Sequence, residues 1–469
     1  MTEARRALAK RGRCAAALIA AVAVVSCRAS EPQRPNIVLI VADDLGWADL
    51  GVQGAPDLAT PEIDSIARQG VRFTSGYVSA PQCSPSRAGL LTGRYQNRFG
   101  FEYNFPGQWD KGLDPRERTL ADYLHGAGYA TGMVGKWHLG KLDSMRPDRR
   151  GFDEALWHPN GGVYFPDPHT GDLPGMFRGA DRAAVREYST DAFTDEAIAF
   201  VARHRDAPFF LYVSYATPHW PMDAKPEHLR LFEHVADLHR RAFLAMMTSL
   251  DENVGRLLGA LRSEGIEDRT LVIFLSDNGG ATGAPRPRPD APLEAGMNAS
   301  RNAPFRGQKR DLLEGGIRVP FLMQWKNHLP AGAVYDPPVI SLDVLATALG
   351  AAGVALPDTI DGVDLLPFLR GERAGSPHDA LFWRFDFPPK GRGGEPWRWA
   401  VREGEWKLVK NAAEPLALYD LANDASELHD LAAQYPERVA AMRARWKRWN
   451  AEMRPPGWSA GGGSADAER

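Results

Sequence analysis

The chain has 469 residues, of which 44% are hydrophobic and 25% are charged, a composition typical of folded globular proteins. This length favours one large domain accompanied by a smaller one over a single small core. The formal net charge of −3 argues against nucleic acid or an anionic membrane surface as a partner, so any binding of anions must be local.

Residues 1–27 have the pattern of an export signal. Basic residues between Arg5 and Arg13 precede the apolar run CAAALIAAVAVV, which is too short to cross a bilayer. Small Ser26 then comes directly before Cys27, as in a bacterial lipoprotein signal, in which Cys27 would be lipidated. A plain secretory signal cleaved nearby is the alternative. Both interpretations predict an exported protein, either periplasmic or held at the membrane by a lipid anchor.

Predicted strands and helices alternate through the region 34–371. Apolar runs predict buried strands in NIVLIV, YATGMV, FFLYVSYA and TLVIFL. Helices are predicted from Thr60 to Gly70 and over 120–127, 190–204 and 239–262. This alternation predicts an α/β catalytic domain built on a large, mostly parallel central sheet.

Polar side chains come shortly after each of these strands. They are Asp43 and Asp44, Lys136 and His138, His219, and Asp277 and Asn278. In open α/β sheets ligands bind at the carboxyl ends of the strands, so we expect these groups to meet at one sheet edge. The Asp and Asn side chains offer only oxygen ligands, which favours a hard divalent cation. A single such pair would more often belong to a turn, but two pairs at corresponding positions favour a metal site.

The stretch CSPSRAGLLTGR predicts a helix with a cysteine at its start. Ser84 is expected to cap this helix, Pro85 to take its first position and Gly93 to end it. Cys83 would then lie exposed at the positive end of the helix dipole, where anions bind. Because Cys14 and Cys27 belong to the signal, no intrachain disulfide is expected. A lone cysteine is more often a buried, inert thiol.

The last part of the chain contains a long loop and, after about residue 372, a change in the sequence pattern. The loop 281–308 is too long for a simple connection and is expected to bind a ligand. After it, WRWAVREGEWKLVK predicts a hairpin that turns near Glu403, and a helix follows over 435–450. We therefore expect a C-terminal subdomain at 372–455, with an antiparallel sheet and a helix. A disordered tail is expected at 456–469.

The motif Cys83-Ser84-Pro85-Ser86-Arg87 followed by LLTGR resembles the signature of the formylglycine-dependent sulfatases. This is the cysteine type, C-x-P-S-R, of type I sulfatases in the alkaline phosphatase superfamily. Further blocks follow that family's order, namely NIVLIVADDLG, GKWHLG, TPHWP, SDNGG, FRGQK with EGGIRVP, and WKLVK with LYDL. The resemblance implies an alkaline-phosphatase-like α/β/α sandwich and hydrolysis of a sulfate ester.

The resemblance also implies two groups that the chain alone does not contain. A maturation enzyme would oxidise Cys83 to formylglycine (3-oxoalanine), whose hydrated aldehyde is the nucleophile. A Ca²⁺ ion, with Mg²⁺ as the alternative, would be held by Asp43, Asp44, residue 83, Asp277 and Asn278. The resemblance implies that Lys136, His219 and Lys309 bind the sulfate. It implies that His138 and His219 transfer protons. Arg87 would support the residue-83 hydroxyl and the metal carboxylates.

Exported sulfatases commonly meet sulfated polysaccharides, so the resemblance together with the export signal implies a sulfated carbohydrate rather than a small aryl sulfate as the substrate. Trp109, Trp157, Tyr164 and Trp220 lie near the motifs and could stack on sugars, although each alone is more often a core aromatic residue. Arg301, in the long loop, could bind an acidic group of a neighbouring sugar. The alternatives are a phosphate or phosphonate ester hydrolase of the same superfamily and a non-catalytic glycan-binding lipoprotein.

Overall fold

The computed structural model describes residues 34–104, 111–283, 297–385, 398–411 and 414–458. Its strands are β1 (Asn36–Ala42), β2 (Val71–Phe73), β3 (Gly76–Tyr77), β4 (Ala130–Lys136), β5 (Glu154–His158), β6 (Phe177–Arg178), β7 (Asp181–Arg182), β8 (Phe209–Ser214), β9 (Thr270–Ser276), β10 (Phe321–Gln324), β11 (Ala333–Tyr335), β12 (Val339–Ile340), β13 (Leu381–Phe385), β14 (Arg398–Glu403), β15 (Trp406–Asn411) and β16 (Ala417–Asp420). Its helices are α1 (Pro61–Arg68), α2 (Cys83–Thr92), α3 (Leu120–Gly126), α4 (Ser189–His204), α5 (Pro226–Leu231), α6 (Leu238–Ser263), α7 (Glu314–Ile317), α8 (Asp343–Ala351), α9 (Leu366–Leu369) and α10 (Pro436–Ala451).

The large sheet has the strand order β11-β2-β10-β9-β1-β8-β4-β5-β6-β7. Its centre, β9-β1-β8-β4-β5, is entirely parallel. Strand β10 runs antiparallel between β9 and β2, and β6 and β7 continue the other side as antiparallel strands. The predicted mostly parallel central sheet is therefore confirmed, and the antiparallel strands lie outside its centre.

Strand β1 is buried on both faces because it lies in the middle of this sheet. Its side chains alternate between two apolar cores: Ile37 and Leu39 join one, whereas Val38 and Ile40 join the other. Helices α2, α3 and α8 contribute to the first core, and α1, α4 and α6 contribute to the second. The result is an α/β/α arrangement of three layers.

The C-terminal sheet is an antiparallel meander in the order β13-β14-β15-β16. Its central hairpin turns between Glu403 and Trp406, as predicted, and Gly404 there has a positive φ of 54°. Helix α10 packs on the sheet, since Trp446 stacks on Trp399 with ring centroids 4.5 Å apart. The antiparallel sheet and the packing helix are confirmed. The division at residues 371 and 372 stays a prediction, and the tail beyond residue 458 lies outside the described residues.

Helix α2 begins two residues earlier than its local sequence predicts. Cys83 is already helical, Gln82 precedes it with extended backbone, and Ser84 is not the cap. The reason is a tertiary contact: the backbone N–H of Ser84 donates to Asn104 Oδ1 at 3.0 Å, a partner supplied by a later loop. The predicted end is correct, because Gly93 closes the helix with a left-handed φ of 64°.

Within the described residues, no helix combines the length and the apolar character that a membrane crossing requires. The export signal, including Cys14 and Cys27, lies outside those residues.

Candidate active site

The loops that follow β1 and β9 meet the start of helix α2 at one edge of the sheet. Cys83 Sγ lies 3.5 Å from Asp43 Oδ1 and 3.8 Å from Asp44 Oδ1. One ligand atom from each of Asp43, Asp44, Cys83 and Asp277 lies within 4.8 Å of the others. Strand ends far apart in sequence are adjacent here because β1 and β9 are paired in parallel. The expectation that these residues are close together is met by the geometry.

Cys83 is fully buried, with 0% of its surface accessible, so the expectation of an exposed residue was wrong. The neighbouring carboxylates and cationic side chains surround it. Burial, followed by the negative charge of Asp277, raises the pKa of its thiol well above the ordinary value. Burial therefore favours the neutral thiol over the thiolate at this position.

Two lysines bind the two carboxylates that follow β1. Lys136 Nζ lies 2.5 Å from Asp43 Oδ2, and Lys309 Nζ lies 2.7 Å from Asp44 Oδ2. Burial is the largest influence on each aspartate and raises its pKa. The surrounding cationic side chains, led by Lys136 at Asp43 and by Lys309 at Asp44, together outweigh burial and leave both pKa values below the ordinary one. Both carboxylates are therefore ionised at neutral pH although they are completely buried.

Arg87, on helix α2, connects this helix to the carboxylate cluster. Its Nε and Nη2 lie 2.9 and 2.8 Å from Asp277 Oδ2. Its Nη1 donates to Ser214 Oγ at 2.5 Å and to Tyr212 Oη at 3.3 Å, both on β8. Neither Ser214 nor Tyr212 was predicted from the sequence. Ser214 could have been suspected, because it is a polar residue at the end of the apolar run that forms β8.

The oxygen ligands of the cluster fit a divalent cation. Asn278 Nδ2 donates to Asp44 Oδ1 at 2.7 Å, while Asn278 Oδ1 is buried and accepts no hydrogen bond from the described residues. An unpartnered buried carbonyl oxygen beside three carboxylates is suited to a metal ion, since an oxygen ligand set favours hard cations. Asp44 has a left-handed φ of 63°, and its N–H donates to Asp277 Oδ1 at 3.1 Å.

The two candidate histidines lie at the ends of β4 and β8. Nε2 of His219 lies 3.6 Å from Asp44 Oδ2, and its Nδ1 contacts the Trp220 carbonyl oxygen. Burial lowers the pKa of His219, although the Asp43 carboxylate opposes the shift. His138 is buried with a φ of 59°, and its Nδ1 has no partner among the described residues. Burial and the nearby Lys136 charge lower its pKa well below the ordinary value.

The predicted substrate contacts have different positions. Arg301 Nη1 forms an ion pair with Asp57 Oδ2 at 2.8 Å and contacts none of the clustered carboxylates. Trp157 and Tyr164 are buried core residues, whereas Trp220, next to His219, is 39% exposed. Trp109 lies outside the described residues.

Comparisons with known proteins agree with this arrangement. A family model described as Sulfatase matches residues 35–354, and one described as N-sulphoglucosamine sulphohydrolase, C-terminal, matches residues 307–451. N-acetylgalactosamine-6-sulfatase of Mus musculus is 36% identical over 374 residues, which are 74% of this chain and 69% of that protein. Arylsulfatase A of Homo sapiens is 33% identical over 468 residues, with 87% of this chain and 86% of that protein covered.

The fold is also similar to that of a solved structure. The crystal structure of Ps i-CgsB in complex with k-i-k-neocarrahexaose matches with a TM-score of 0.82 at 31% identity, covering 91% of this chain and 95% of that one. The expected alkaline-phosphatase-like architecture is thereby confirmed. The chain belongs to the sulfatase family and is a sulfuric ester hydrolase.

Proposed function

We propose that the protein is a formylglycine-dependent sulfatase that removes sulfate from a sulfated carbohydrate. The observation that carries this proposal is the position of Cys83, whose Sγ contacts the carboxylates of both Asp43 and Asp44. Lys136 and Lys309 bind the same two carboxylates. A group made from this thiol would therefore stand beside both the cation ligands and the positive charges that a sulfate needs.

Two groups complete the site in this proposal. Formylglycine, which a maturation enzyme would make from Cys83, would supply a hydrated aldehyde with one hydroxyl suited to attack on sulfur and a second whose deprotonation would allow sulfate to leave. A Ca²⁺ (or Mg²⁺) ion would be held by Asp43, Asp44, Asp277, Asn278 and residue 83, and it would polarise a sulfate oxygen.

The chain's own side chains bind the anion and move the protons. Lys136 and Lys309 neutralise charge on the sulfuryl oxygens, which is where charge grows in the transition state. His219 also contacts the sulfate. In its doubly protonated form, with the Nδ1 hydrogen on the Trp220 carbonyl oxygen, it gives its Nε2 proton to the departing oxygen. His138 receives the proton of the second hydroxyl through an imidazole that its lowered pKa keeps neutral at pH 7. Arg87 holds Asp277 and Asp43 in place and supports the residue-83 hydroxyl.

The carbohydrate substrate is supported by the relatives, because one is named for a sulfated amino sugar and another is a complex with a neocarrahexaose. Arg301 would bind an acidic group of the neighbouring sugar, since its side chain is 41% exposed. A screen of sulfate release over defined sulfated oligosaccharides tests the substrate, with Cys83→Ala as the inactive control. Activity on nitrophenyl sulfate well above that on nitrophenyl phosphate is expected, and the reverse preference would favour a phosphate ester hydrolase.

We also propose that the protein is exported, with Cys27 as a lipid attachment site. Labelling with radioactive palmitate should mark the wild-type chain in its host and leave Cys27→Ala unlabelled. Mass spectrometry of active protein from the same host should find formylglycine at residue 83. An intact thiol there in fully active material would contradict the mechanism.

A further inference from the structure

A short stretch of the long loop, Asn298–Asn302, lies against the loops that carry the catalytic groups. Asn298 is completely buried, and its Nδ2 donates to the Asp44 carbonyl oxygen at 3.0 Å and to the Pro218 carbonyl oxygen at 2.9 Å. Both amide hydrogens are therefore used. Asp44 follows β1 and Pro218 follows β8, so one side chain bridges two loops far apart in sequence.

Each of the two carbonyl groups belongs to, or adjoins, a proposed catalytic residue. Asp44 adopts a left-handed backbone that is uncommon outside glycine, and its N–H is already held by Asp277 Oδ1. The bond from Asn298 holds the carbonyl side of the same residue. Pro218 immediately precedes His219, whose Nε2 lies 3.6 Å from Asp44 Oδ2. The Asn298 amide thus links the loops that carry these two residues.

Hydrogen bonds to Arg240 and Asp49 also hold this stretch in place. Arg240 Nη1 donates to the Ala299 carbonyl oxygen at 3.1 Å and to Asp49 Oδ1 at 2.8 Å. The backbone N–H of Arg301 donates to Asp49 Oδ2 at 2.7 Å. Asn298 therefore donates from a fixed support, which is what a positioning residue requires.

At the other end of the stretch, Asn302 makes a similar bridge. Its Oδ1 accepts from the Gly280 N–H at 2.9 Å, and its Nδ2 donates to the carbonyl oxygens of Gly280 and Gly307 at 3.0 and 3.2 Å. Gly280 lies two positions after Asn278, and Gly307 lies two positions before Lys309. The stretch therefore contacts the loops on both sides of the site.

We propose that Asn298 is a positioning residue that holds His219 at the correct distance from Asp44, so that the proton on His219 reaches the leaving oxygen. The inference rests on the proposed function of these two residues. Asn298 does not itself contact the reacting atoms in this assignment. Its loss should impair the proton-dependent part of the reaction more than the binding of sulfate.

The first test is structural and needs no assay. Crystal structures of the wild-type protein and of Asn298→Ala are compared, with Asn298→Asp as the second variant because it keeps the shape but cannot donate. The His219 Nε2 to Asp44 Oδ2 distance should grow by more than about 0.5 Å, the tolerance of a catalytic arrangement. An unchanged distance in the variants would overturn the inference, whatever their activity.

The second test uses two substrates that differ in their need for a proton. 4-Nitrophenyl sulfate has a good leaving group, whereas an alkyl sulfate needs its leaving oxygen protonated. Asn298→Ala should lower kcat about 100-fold on the alkyl sulfate and less than about tenfold on the aryl sulfate, with KM little changed. Asn423→Ala, at an exposed asparagine of the C-terminal region, serves as the control and should leave both rates unchanged.

The His219→Ala variant distinguishes the proposed proton transfer by His219 from the proposed positioning of His219 by Asn298. The positioning role is overturned if His219→Ala lowers kcat much more on the alkyl sulfate than on the aryl sulfate while Asn298→Ala lowers both equally. If His219→Ala lowers both rates equally, the proposed proton transfer by His219 is wrong, and the distance in the crystal structures still decides whether Asn298 positions it.

Discussion

Arg87 and Asp277 form an ion pair in which neither side chain is accessible to solvent, with Nε and Nη2 both within 2.9 Å of Asp277 Oδ2. The pair joins helix α2, which carries Cys83, to the loop after β9, which carries proposed metal ligands. Breaking a buried pair leaves an uncompensated charge, whereas breaking an exposed pair costs little. This difference leads to the first prediction.

Arg87→Ala should lower the free energy of unfolding by about 3–5 kcal/mol, because Asp277 would stay buried without its partner. Urea denaturation with EDTA present measures this without a contribution from a metal. The matched control is Arg94→Ala, which breaks a partly exposed ion pair with Glu117 and should cost at most about 1 kcal/mol. Equal losses in the two variants would contradict the burial argument.

Lys309→Met should lower kcat on 4-nitrophenyl sulfate by about 100-fold or more, since a preorganised positive charge on the sulfate is lost. Burial lowers the pKa of Lys309, but Asp44 and the other anionic groups around it together raise the pKa above the ordinary value, so this lysine is charged throughout the neutral range. Lys326→Met removes an exposed lysine that pairs with Asp268 and should leave kcat unchanged. A Lys309→Met enzyme of normal activity would refute the assignment.

Removal of divalent cations should inactivate the protein and lower its melting temperature. Without a cation, the carboxylates of Asp43, Asp44 and Asp277 repel one another in a buried cluster. Added Ca²⁺ should restore activity and raise the melting temperature with increasing concentration, as for any ligand that binds only the folded state. In Asp277→Ala this thermal response should need a higher Ca²⁺ concentration. A melting temperature independent of both EDTA and Ca²⁺ would argue against a metal site.

His378 should give a pH-dependent contribution to stability away from the active site. Its Nε2 lies 2.8 and 3.0 Å from the two carboxylate oxygens of buried Asp343. Burial lowers the pKa of His378, but the charge and hydrogen bond of Asp343, together with the more distant charges of Asp361 and Asp379, raise the pKa above the ordinary 6.5. The stabilisation is therefore complete below the ordinary pKa and is lost as pH rises through the raised one.

His378→Phe should accordingly cost more free energy of unfolding at about pH 5.5 than at about pH 9. Urea denaturation of the wild-type and variant proteins at both pH values gives the two differences. The same cost at both values would mean that protonation of His378 does not contribute to folding.

The sequence allowed the polar residues after β1, β4, β8 and β9 to be expected at one sheet edge, because each follows an apolar run long enough to identify a buried strand. Short strands such as β6, β7 and β12 carry no such pattern and were not predicted. Their positions depend on pairing with neighbouring strands rather than on local preference.

The residues that hold the site in place were not identifiable in the same way. Asn298 and Asn302 stand in a loop without periodicity, and Asn104 replaces the cap expected from Ser84. Residue order alone thus determined which chemical groups reach the sheet edge, because strand periodicity and motif spacing are local properties. Only the tertiary structure decided that Cys83 is buried and which distant side chains contact the loops around it. The hydrogen bonds of these side chains join segments that are far apart in the chain, and no local sequence pattern indicates that such segments will meet.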